Sequence, residues 1–172
     1  YGGNAGQSCA NTVESISKLF GGLKIDGYYA IPMDEIPKLN HSVGGVTVTL
    51  LEDFQDIDRQ MKKGETLALS DEQAYHYIHD RYGVGDEKNT SRMKRQQQYM
   101  EAFFTKAKEK AKSDKAYVSQ LFRKFEQTAT TNLTAKKISG LTNRLIKGTQ
   151  KGFFEIQGTS KIGKALGDGI DH

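Results

Sequence analysis

Long hydrogen-bond donors recur at helical intervals in the segment that follows residue 90. Counted from the first arginine, they stand at i, i+3, i+4 and i+7: Arg92, Arg95, Gln96 and Tyr99. In a helix these positions share one face. Guanidinium groups donate paired hydrogen bonds to phosphate oxygens, and the free N–H groups of a helix's first turn attract anions. The pattern predicts a phosphate or pyrophosphate site, although a solvated charged helix face has the same spacing.

The segment before this helix carries further candidates for the same site. Arg81 is close enough in sequence to reach the anion from the opposite side, and Asp86 is placed to orient an arginine or to bind a metal. His76 and His79 stand at i and i+3, which suits shared metal ligation. Because no cysteine or third ligand lies near them in the sequence, we expect both histidines to be surface residues.

Composition leaves several classes of partner open. The 172 residues are 36% hydrophobic, which suffices for a core, and we expect a single domain over residues 1–172. The net charge of +4 favours anionic partners such as nucleic acid, anionic lipid or a phosphorylated sugar. Cys9 is the only cysteine, which excludes an intrachain disulfide and a cysteine-based zinc cluster.

Local patterns predict the elements that position the candidate residues. No Gly or Pro interrupts residues 90–112, and we expect this segment to form the longest helix. Its predicted apolar side consists of Met93, Met100, Phe103, Phe104 and Ala107. A capping box at Ser70–Gln73 opens a short helix through Ile78, and residues 82–89, with two glycines, form a loop. The candidate site therefore lies on the first turns of the long helix and in the segment that precedes it.

Alternation and capping predict the remaining elements. Residues 46–50 alternate β-branched side chains after Gly44 and Gly45, which makes them the clearest strand. Weaker strands are expected over 25–31 and 153–156, and helical segments over 11–20, 33–39, 114–127 and 134–148. In the second-last of these, the predicted buried residues are Val118, Leu121, Phe122 and Phe125. The pattern favours an α/β fold, sandwich-like, with a central mixed sheet flanked by helices.

Several signatures of other functions are absent from the sequence. There is no GxxxxGK[ST] phosphate loop, no GxGxxG after a strand and no GxSxG elbow. A basic helix is compatible with nucleic-acid binding, but the chain has no Trp, and its aromatic residues fall on apolar faces instead of between basic residues. We therefore expect no nucleic-acid partner.

The order of the motifs resembles the LytR-CpsA-Psr family. The segments that carry the resemblance are Tyr1–Gly3, Lys24–Tyr29, Val43–Val48, Ser70–Ala74 and Arg92–Gln96. The VGGVTV strand, the EQA helix start, the R-x-R loop and the R-x-x-RQ helix follow one another as in that family, up to about Tyr99. The resemblance implies that the family's N-terminal part lies upstream of Tyr1, where the chain begins without Met.

The resemblance also implies a phosphotransferase that works outside the cell. Family members are similar in having an N-terminal transmembrane anchor and in moving an anionic glycopolymer, such as teichoic acid or capsule, from polyprenyl pyrophosphate to peptidoglycan. It implies a Mg²⁺ ion whose ligands would lie upstream of Tyr1, so that no metal ligand is expected in this chain. The alternative is a non-catalytic module that binds polyprenyl phosphate or an anionic polymer.

Four residues match the family's site by position. Arg81 matches the second arginine of R-x-R, and the R-x-x-RQ helix supplies Arg92, Arg95 and Gln96. The resemblance implies that Arg81 and Arg92 are the catalytic pair that binds the pyrophosphate. It implies that Arg95 and Gln96 either contact the pyrophosphate or brace the pair.

Two positions near the site depart from the family's pattern. His79 stands where the first arginine of R-x-R is expected, which makes that cationic contact weaker or dependent on pH. Asn89 stands where an acidic residue is frequent in the family, and Asp86 lies three residues earlier. We expect Asp86 to take over that role from a longer loop.

Overall fold

The computed structural model describes residues 3–149, apart from the side chain of Thr142. Its helices are α1 (Ala5–Leu19), α2 (Ile36–Ser42), α3 (Asp71–His79), α4 (Asn89–Ser113), α5 (Tyr117–Lys124) and α6 (Ala135–Lys147). Its strands are β1 (Tyr29–Ala30), β2 (Thr47–Thr49), β3 (Thr66–Ala68) and β4 (Thr130–Thr131), and a 3-10 turn covers Met33–Glu35. The expected strand at residues 153–156 lies outside the described residues.

The strands form two antiparallel pairs. β1 pairs with β4, with Tyr29 opposite Thr131, and β2 pairs with β3, with Thr47 opposite Ala68. The predicted α/β class is confirmed. Within residues 3–149, however, these pairs are separate sheets and not one central mixed sheet.

The strand predicted from alternation is present where it was expected. Val46, Val48 and Leu50 are buried, whereas Thr47 and Thr49 between them are exposed. Its partner β3 was not predicted, because only three residues pair and they carry no apolar alternation. This ladder forms one side of a hydrophobic core that α2, α3 and α4 complete.

A buried asparagine connects the elements around this core. Asn40 on α2 is fully buried, and its side-chain amide donates to the Leu69 carbonyl and to Asp71 Oδ1, both at 3.0 Å. Its Oδ1 accepts from the Val46 N–H at 2.9 Å and from the Tyr99 hydroxyl at 3.3 Å. These four bonds use the whole capacity of the amide and tie α2 to the β2–β3 sheet, α3 and α4.

Two glycines allow the chain to turn back after the end of α2, so that the next residues approach Asn40. Gly44 and Gly45 have φ values of +77° and +81°, which only glycine adopts without strain. A Cβ on Gly45 would also lie 3.1 Å from the Leu69 carbonyl oxygen. The VGGVTV motif therefore contains a tight turn that brings Val46, the residue before β2, to the buried amide.

The long helix is present as predicted, but its buried face is different. α4 buries Arg95, Tyr99, Phe103, Ala107 and Ala111. The predicted apolar side was wrong for Met93 and Phe104, which are 56% and 39% exposed. The helix is rotated toward the polar residues because the protein supplies hydrogen-bond partners for the Arg95 and Tyr99 side chains.

Side-chain caps begin α3, as expected, and also α6. The capping box of Ser70 and Gln73 forms at the start of α3, and Thr134 caps α6. α1 starts earlier than residue 11, where it was predicted to begin, because the Asn4 side chain accepts the Gln7 N–H. Its apolar residues Ile16, Leu19 and Phe20 are exposed.

Two other predicted elements are shorter than expected. In the segment expected to be a strand over 25–31, the Tyr28 N–H donates to the Asn132 side chain, so that only Tyr29–Ala30 pairs. α5 covers eight residues of the predicted 114–127. Of the residues predicted to be buried there, Phe125 is buried, and the others are half-buried: Val118, Leu121 and Phe122.

The Asn40 network predicts a large effect for a substitution of similar size. Asn40→Leu leaves the Val46 N–H, the Leu69 carbonyl and the Tyr99 hydroxyl without their partner in the core. Because each unsatisfied buried group costs about 1–3 kcal/mol, we expect the free energy of unfolding in urea to fall by at least about 3 kcal/mol. The exposed control Asn11→Leu should change it by less than about 0.5 kcal/mol. Equal losses in the two variants would contradict a central role for Asn40.

Candidate anion-binding site

A surface depression of about 430 Å³ lies between the end of α3 and the start of α4. Its lining residues are His79, Asp80, Arg81, Tyr82 and Arg92. Two of the four residues expected to form the site, Arg81 and Arg92, therefore meet in one place. They come from different elements, as the sequence predicted: one follows α3, and the other lies in the first turn of α4.

The guanidinium of Arg81 is held by the residue that follows it. It lies 4.3 Å from the centroid of the Tyr82 ring, and its Nη2 donates to the Tyr82 hydroxyl. A cation over an aromatic face is attracted by the ring's negative charge distribution. Because Tyr82 is 75% exposed, this contact orients Arg81 at the surface without burying its charge.

Arg92 is partly engaged and partly free to bind. Its Nη2 donates to Asn89 Oδ1 at 2.7 Å. Its Nε is shielded from solvent and has no hydrogen-bond partner among the described residues. An unsatisfied buried donor costs free energy.

Arg95 does not line the depression but lies behind it. The side chain is 1% exposed, and its two terminal nitrogens donate to the Tyr77 and Asp80 carbonyls, each at 2.5 Å. Its Nε lies 2.9 Å from Glu52 Oε2, which is ion-pair distance, although the angle is not that of a hydrogen bond. Burial lowers the pKa of Arg95, and the carboxylate of Glu52 opposes that shift.

Gln96, like Arg95, donates from α4 to the C-terminal end of α3. Its Nε2 donates to the Ile78 carbonyl at 2.9 Å. The last carbonyls of a helix lack partners within the helix, and here Arg95 and Gln96 supply them at the end of α3. Of the two roles expected for this pair, the structure places both residues where they brace the segment that carries Arg81, and it gives Arg95 no surface exposed to a ligand.

One carboxylate in the depression is bound by two histidines. Asp80 lies 2.7 Å from His76 Nδ1 and 2.9 Å from His79 Nδ1. Burial raises the pKa of Asp80, but the hydrogen bonds from His79 and His76 outweigh burial and hold it below its ordinary value. Both rings face a carboxylate instead of converging on a shared metal position. His79 also stacks on Tyr75, with ring centroids 4.7 Å apart.

Asp86 lies at the start of α4 and not beside an arginine. It accepts a hydrogen bond from the Lys88 N–H at 3.0 Å, and its Oδ2 lies 3.7 Å from Lys88 Nζ. A hydrogen bond from the Ser91 side chain is the largest cause of its lowered pKa, followed by the Lys88 N–H. Asp86 therefore stabilises the N-terminal turn of α4. Among residues 3–149, no three His, Cys, Asp or Glu side chains are grouped so as to hold a metal ion.

Sequence reasoning missed two residues of the site. Glu52 follows β2 and compensates the buried charge of Arg95, and Tyr82 orients Arg81. The first could have been sought, because a buried arginine needs an acidic partner, but nothing in the sequence indicated that Arg95 is buried. Tyr82 could have been predicted, because it directly follows Arg81 in the sequence and an aromatic ring beside an arginine can hold its guanidinium.

Removal of the Arg95 guanidinium should destabilise the fold strongly. Arg95→Met leaves Glu52 without its ion-pair partner and two carbonyls without a donor, so we expect the free energy of unfolding in urea to fall by about 3–5 kcal/mol. Lys94→Met, an exposed cation in the same turn, should cost less than about 0.5 kcal/mol. Adding Glu52→Gln to Arg95→Met should recover part of the loss. Similar losses in the two single variants would contradict the bracing role.

The lowered pKa of Asp80 predicts a pH-dependent contribution to stability. An aspartate whose folded pKa lies below its ordinary value of 3.8 stabilises the fold above that value, and the contribution is lost as the pH falls through the folded pKa. Asp80→Asn should therefore be less stable than the wild type at about pH 6, and the gap should close towards about pH 3. Thermal unfolding across this range measures it, with exposed Asp26→Asn as the control. A gap that is constant with pH would contradict the assignment.

Comparisons with known proteins give the fold and the family. None of the curated proteins compared matches the chain. Bacillus subtilis TagV shares 23% identity at a TM-score of 0.69, over 95% of this chain and 61% of its own. Lmo1026 of Listeria monocytogenes shares 22% sequence identity at a TM-score of 0.63, and the match covers 95% of this chain and 64% of Lmo1026. TagT, solved bound to LI-WTA, shares 18% sequence identity at a TM-score of 0.57, and the match covers 83% of this chain and 55% of TagT.

These solved structures establish a common fold, and the chain spans less than two thirds of the length of each. No helix among residues 3–149 has the length and apolar composition that are needed to span a bilayer. The sequence profile of the LytR-CpsA-Psr family matches residues 1–168, which is nearly the whole chain and includes both the Asn40 turn and the arginine depression. The chain therefore belongs to the LytR-CpsA-Psr family.

Proposed function

We propose that this chain binds the pyrophosphate of a polyprenyl-linked anionic glycopolymer and takes part in its transfer to peptidoglycan. The observation that carries the proposal is the meeting of the Arg81 and Arg92 side chains in one depression. A phosphate oxygen is the acceptor that a guanidinium binds best. The depression thus offers two cations to one anionic group.

The charge balance in the depression supports an anionic ligand. Asp80 is the one carboxylate among its lining residues, and the two imidazoles of His76 and His79 hydrogen-bond to it. Neither arginine forms an ion pair with a carboxylate of the described residues within 4 Å, so both charges remain available. Because both arginine side chains are only half-buried, a ligand would be bound without the cost of fully burying the charges.

The residues of this chain would act mainly through charge and position. In the proposed reaction, a sugar hydroxyl attacks the phosphorus that carries the glycopolymer, and the bond from this phosphorus to the bridging oxygen of the polyprenyl phosphate breaks. Arg81 and Arg92 would stabilise the negative charge that develops on the leaving phosphate. Arg95 and Gln96 would keep the Arg81 segment in place through the Asp80 and Ile78 carbonyls.

Family membership supports the same substrate class and location. TagT, which shares the fold, was solved bound to LI-WTA, a wall teichoic acid ligand. We place the protein at the extracytoplasmic face of the membrane, anchored by an N-terminal transmembrane helix, with a polyprenyl carrier, an anionic glycopolymer and peptidoglycan as partners. The resemblance also suggests Mg²⁺, for which the described residues offer no group of three His, Cys, Asp or Glu ligands.

Binding of farnesyl pyrophosphate, a soluble polyprenyl pyrophosphate, tests the proposal by calorimetry. The double variant Arg81→Ala, Arg92→Ala should bind at least about 100-fold more weakly than the wild type, because each charged hydrogen-bonding group contributes about 1.5–3 kcal/mol. Arg123→Ala, which removes an exposed arginine on α5, should bind like the wild type. Undiminished binding by the double variant would overturn the proposed site.

Transfer itself distinguishes the enzyme from the binding module. A longer protein that contains this chain should move labelled glycopolymer from its lipid carrier to peptidoglycan, and the double arginine variant should not. Ligand binding that depends on both arginines, without any transfer, would instead make the protein a non-catalytic module that holds the lipid-linked polymer.

A further inference from the structure

Charge is distributed unevenly between two parts of the chain. Residues 1–103 contain eleven Lys and Arg against fifteen Asp and Glu, whereas residues 104–149 contain eleven against three. The second part covers the C-terminal turns of α4 together with α5, β4 and α6, and we call it the basic segment. A surface with such an excess of one charge attracts partners of the opposite charge.

The cations of the basic segment have no acidic partners among the described residues. Every ion pair of those residues lies between Glu14 and Arg95. Three lysines of the basic segment donate to backbone carbonyls: Lys106, Lys108 and Lys137. The other eight Lys and Arg side chains are exposed and make no hydrogen bond or ion pair with the described residues. Their charge is available to a partner.

The cations are brought together because the C-terminal ends of three helices meet. Lys108 Nζ donates to the carbonyl of Gly148, which directly follows α6. Lys110 in the last turn of α4 and Lys124 at the end of α5 line one depression of about 430 Å³. Lys147 is the last residue of α6. A partner at this end of the molecule would therefore meet cations from all three helices.

Stabilisation of the helix ends accounts for only part of this charge. Cations in a last turn interact favourably with the negative end of the helix dipole, and α4, α5 and α6 each carry two there. Lys136 and Lys137, however, stand in the first turn of α6, where the dipole disfavours a positive charge. Because these two lysines are unfavourably placed for the helix itself, they indicate a partner outside the fold.

An exposed apolar side chain lies among the cations of α6. Leu141 is 43% exposed, and Lys137 and Arg144 flank it at i−4 and i+3 on the same helix face. Helices that lie on a membrane surface combine basic residues, which contact phosphate headgroups, with apolar residues that enter the acyl boundary. A soluble chain of phosphodiesters would neutralise the cations but would offer no apolar surface to Leu141. The combination therefore favours a bilayer.

We propose that the basic segment binds the surface of an anionic phospholipid bilayer. Headgroup phosphates contact the free cations at the helix ends, and Leu141 enters the boundary between headgroups and acyl chains. The surface is separate from the arginine depression, because Lys110 follows Arg92 by eighteen residues of α4, about 27 Å along the helix. A bilayer and a pyrophosphate are therefore bound at different places.

Co-sedimentation of this chain with vesicles tests the proposal. We expect binding to vesicles of equal parts phosphatidylglycerol and phosphatidylcholine, and no measurable binding to phosphatidylcholine alone. Binding should weaken at least about tenfold when the salt concentration rises from about 0.05 M to about 0.5 M, because salt screens exposed charges. The variant Lys110→Gln, Lys124→Gln, Arg144→Gln, Lys147→Gln should bind at least about 30-fold more weakly, since each cation near an anionic surface contributes about fivefold.

A control variant removes the same charges from the rest of the chain. Arg59→Gln, Lys62→Gln, Lys63→Gln, Lys94→Gln takes one arginine and three lysines from exposed positions, so that both variants have the same net charge. Charges more than a Debye length from the bilayer are screened, and this variant should bind within about threefold of the wild type. Circular dichroism spectra like that of the wild type show that both variants are folded.

Leu141→Ser distinguishes a bilayer from a soluble polyanion. Loss of the leucine side chain should weaken vesicle binding at least about threefold, because its burial in the acyl boundary is favourable. The control Leu23→Ser removes a leucine that is 57% exposed outside the basic segment, and it should bind like the wild type. If soluble polyphosphate binds more tightly than the vesicles and Leu141→Ser changes neither affinity, the partner is a polyanionic chain and the bilayer proposal is wrong.

Three other results would overturn the proposal. They are equal binding to anionic and neutral vesicles, equal weakening in the basic-segment and control variants, and salt-sensitive self-association without vesicles that only the basic-segment variant loses. The last result would assign the surface to acidic residues of a second copy. The vesicles contain no pyrophosphate, so none of these outcomes bears on the arginine depression or on transfer.

Discussion

The buried guanidinium of Arg95 is the interaction on which the candidate site depends. It pairs with Glu52 from the segment after β2, donates to two carbonyls at the end of α3, and lies 5.0 Å from the centroid of the Phe54 ring. A charge removed from water in this way costs several kcal/mol unless its partners are complete. Because the partners come from the segment after β2 and from the end of α3, the cost is offset only when both occupy their observed positions against α4.

The same residue separates the two roles that one helix turn performs. Arg92 and Arg95 are one turn apart on α4, but Arg95 faces the interior, whereas Arg92 faces the depression. The spacing alone would permit both to face a ligand. The inward turn of Arg95 fixes the rotation of α4 about its axis, and this rotation sets the direction of Arg92. A residue without contact to the ligand thereby determines the geometry of one that is placed to contact it.

Local signals in the sequence predicted the elements, and long-range partners decided the site. The capping box at Ser70, the alternation of residues 46–50 and the uninterrupted helix after residue 90 depend on neighbours in the chain, and all three are present. The fourfold bonding of Asn40 and the pairing of Glu52 with Arg95 depend on residues far apart in the sequence. No periodicity records such pairs. For this reason the sequence placed Arg92, Arg95 and Tyr99 on one face of α4, but it did not predict that Arg95 and Tyr99 are buried.

The motifs that mark the family are connected by a series of contacts that leads to the site. The double-glycine turn brings the Val46 N–H to Asn40, which sets the position of β2. Gln98 on α4 binds the last residue of that strand: its side chain donates to the Thr49 carbonyl and accepts from the Tyr77 hydroxyl.

Glu52 follows three residues after the end of β2 and pairs with Arg95. Arg95 in turn donates to the carbonyl of Asp80, the residue directly before Arg81. The glycines lie far from the depression in the chain, yet they determine where its first arginine stands. A substitution at Gly45 should therefore disturb anion binding through this path, because the sheet, the acidic partner and the end of α3 would have to move together.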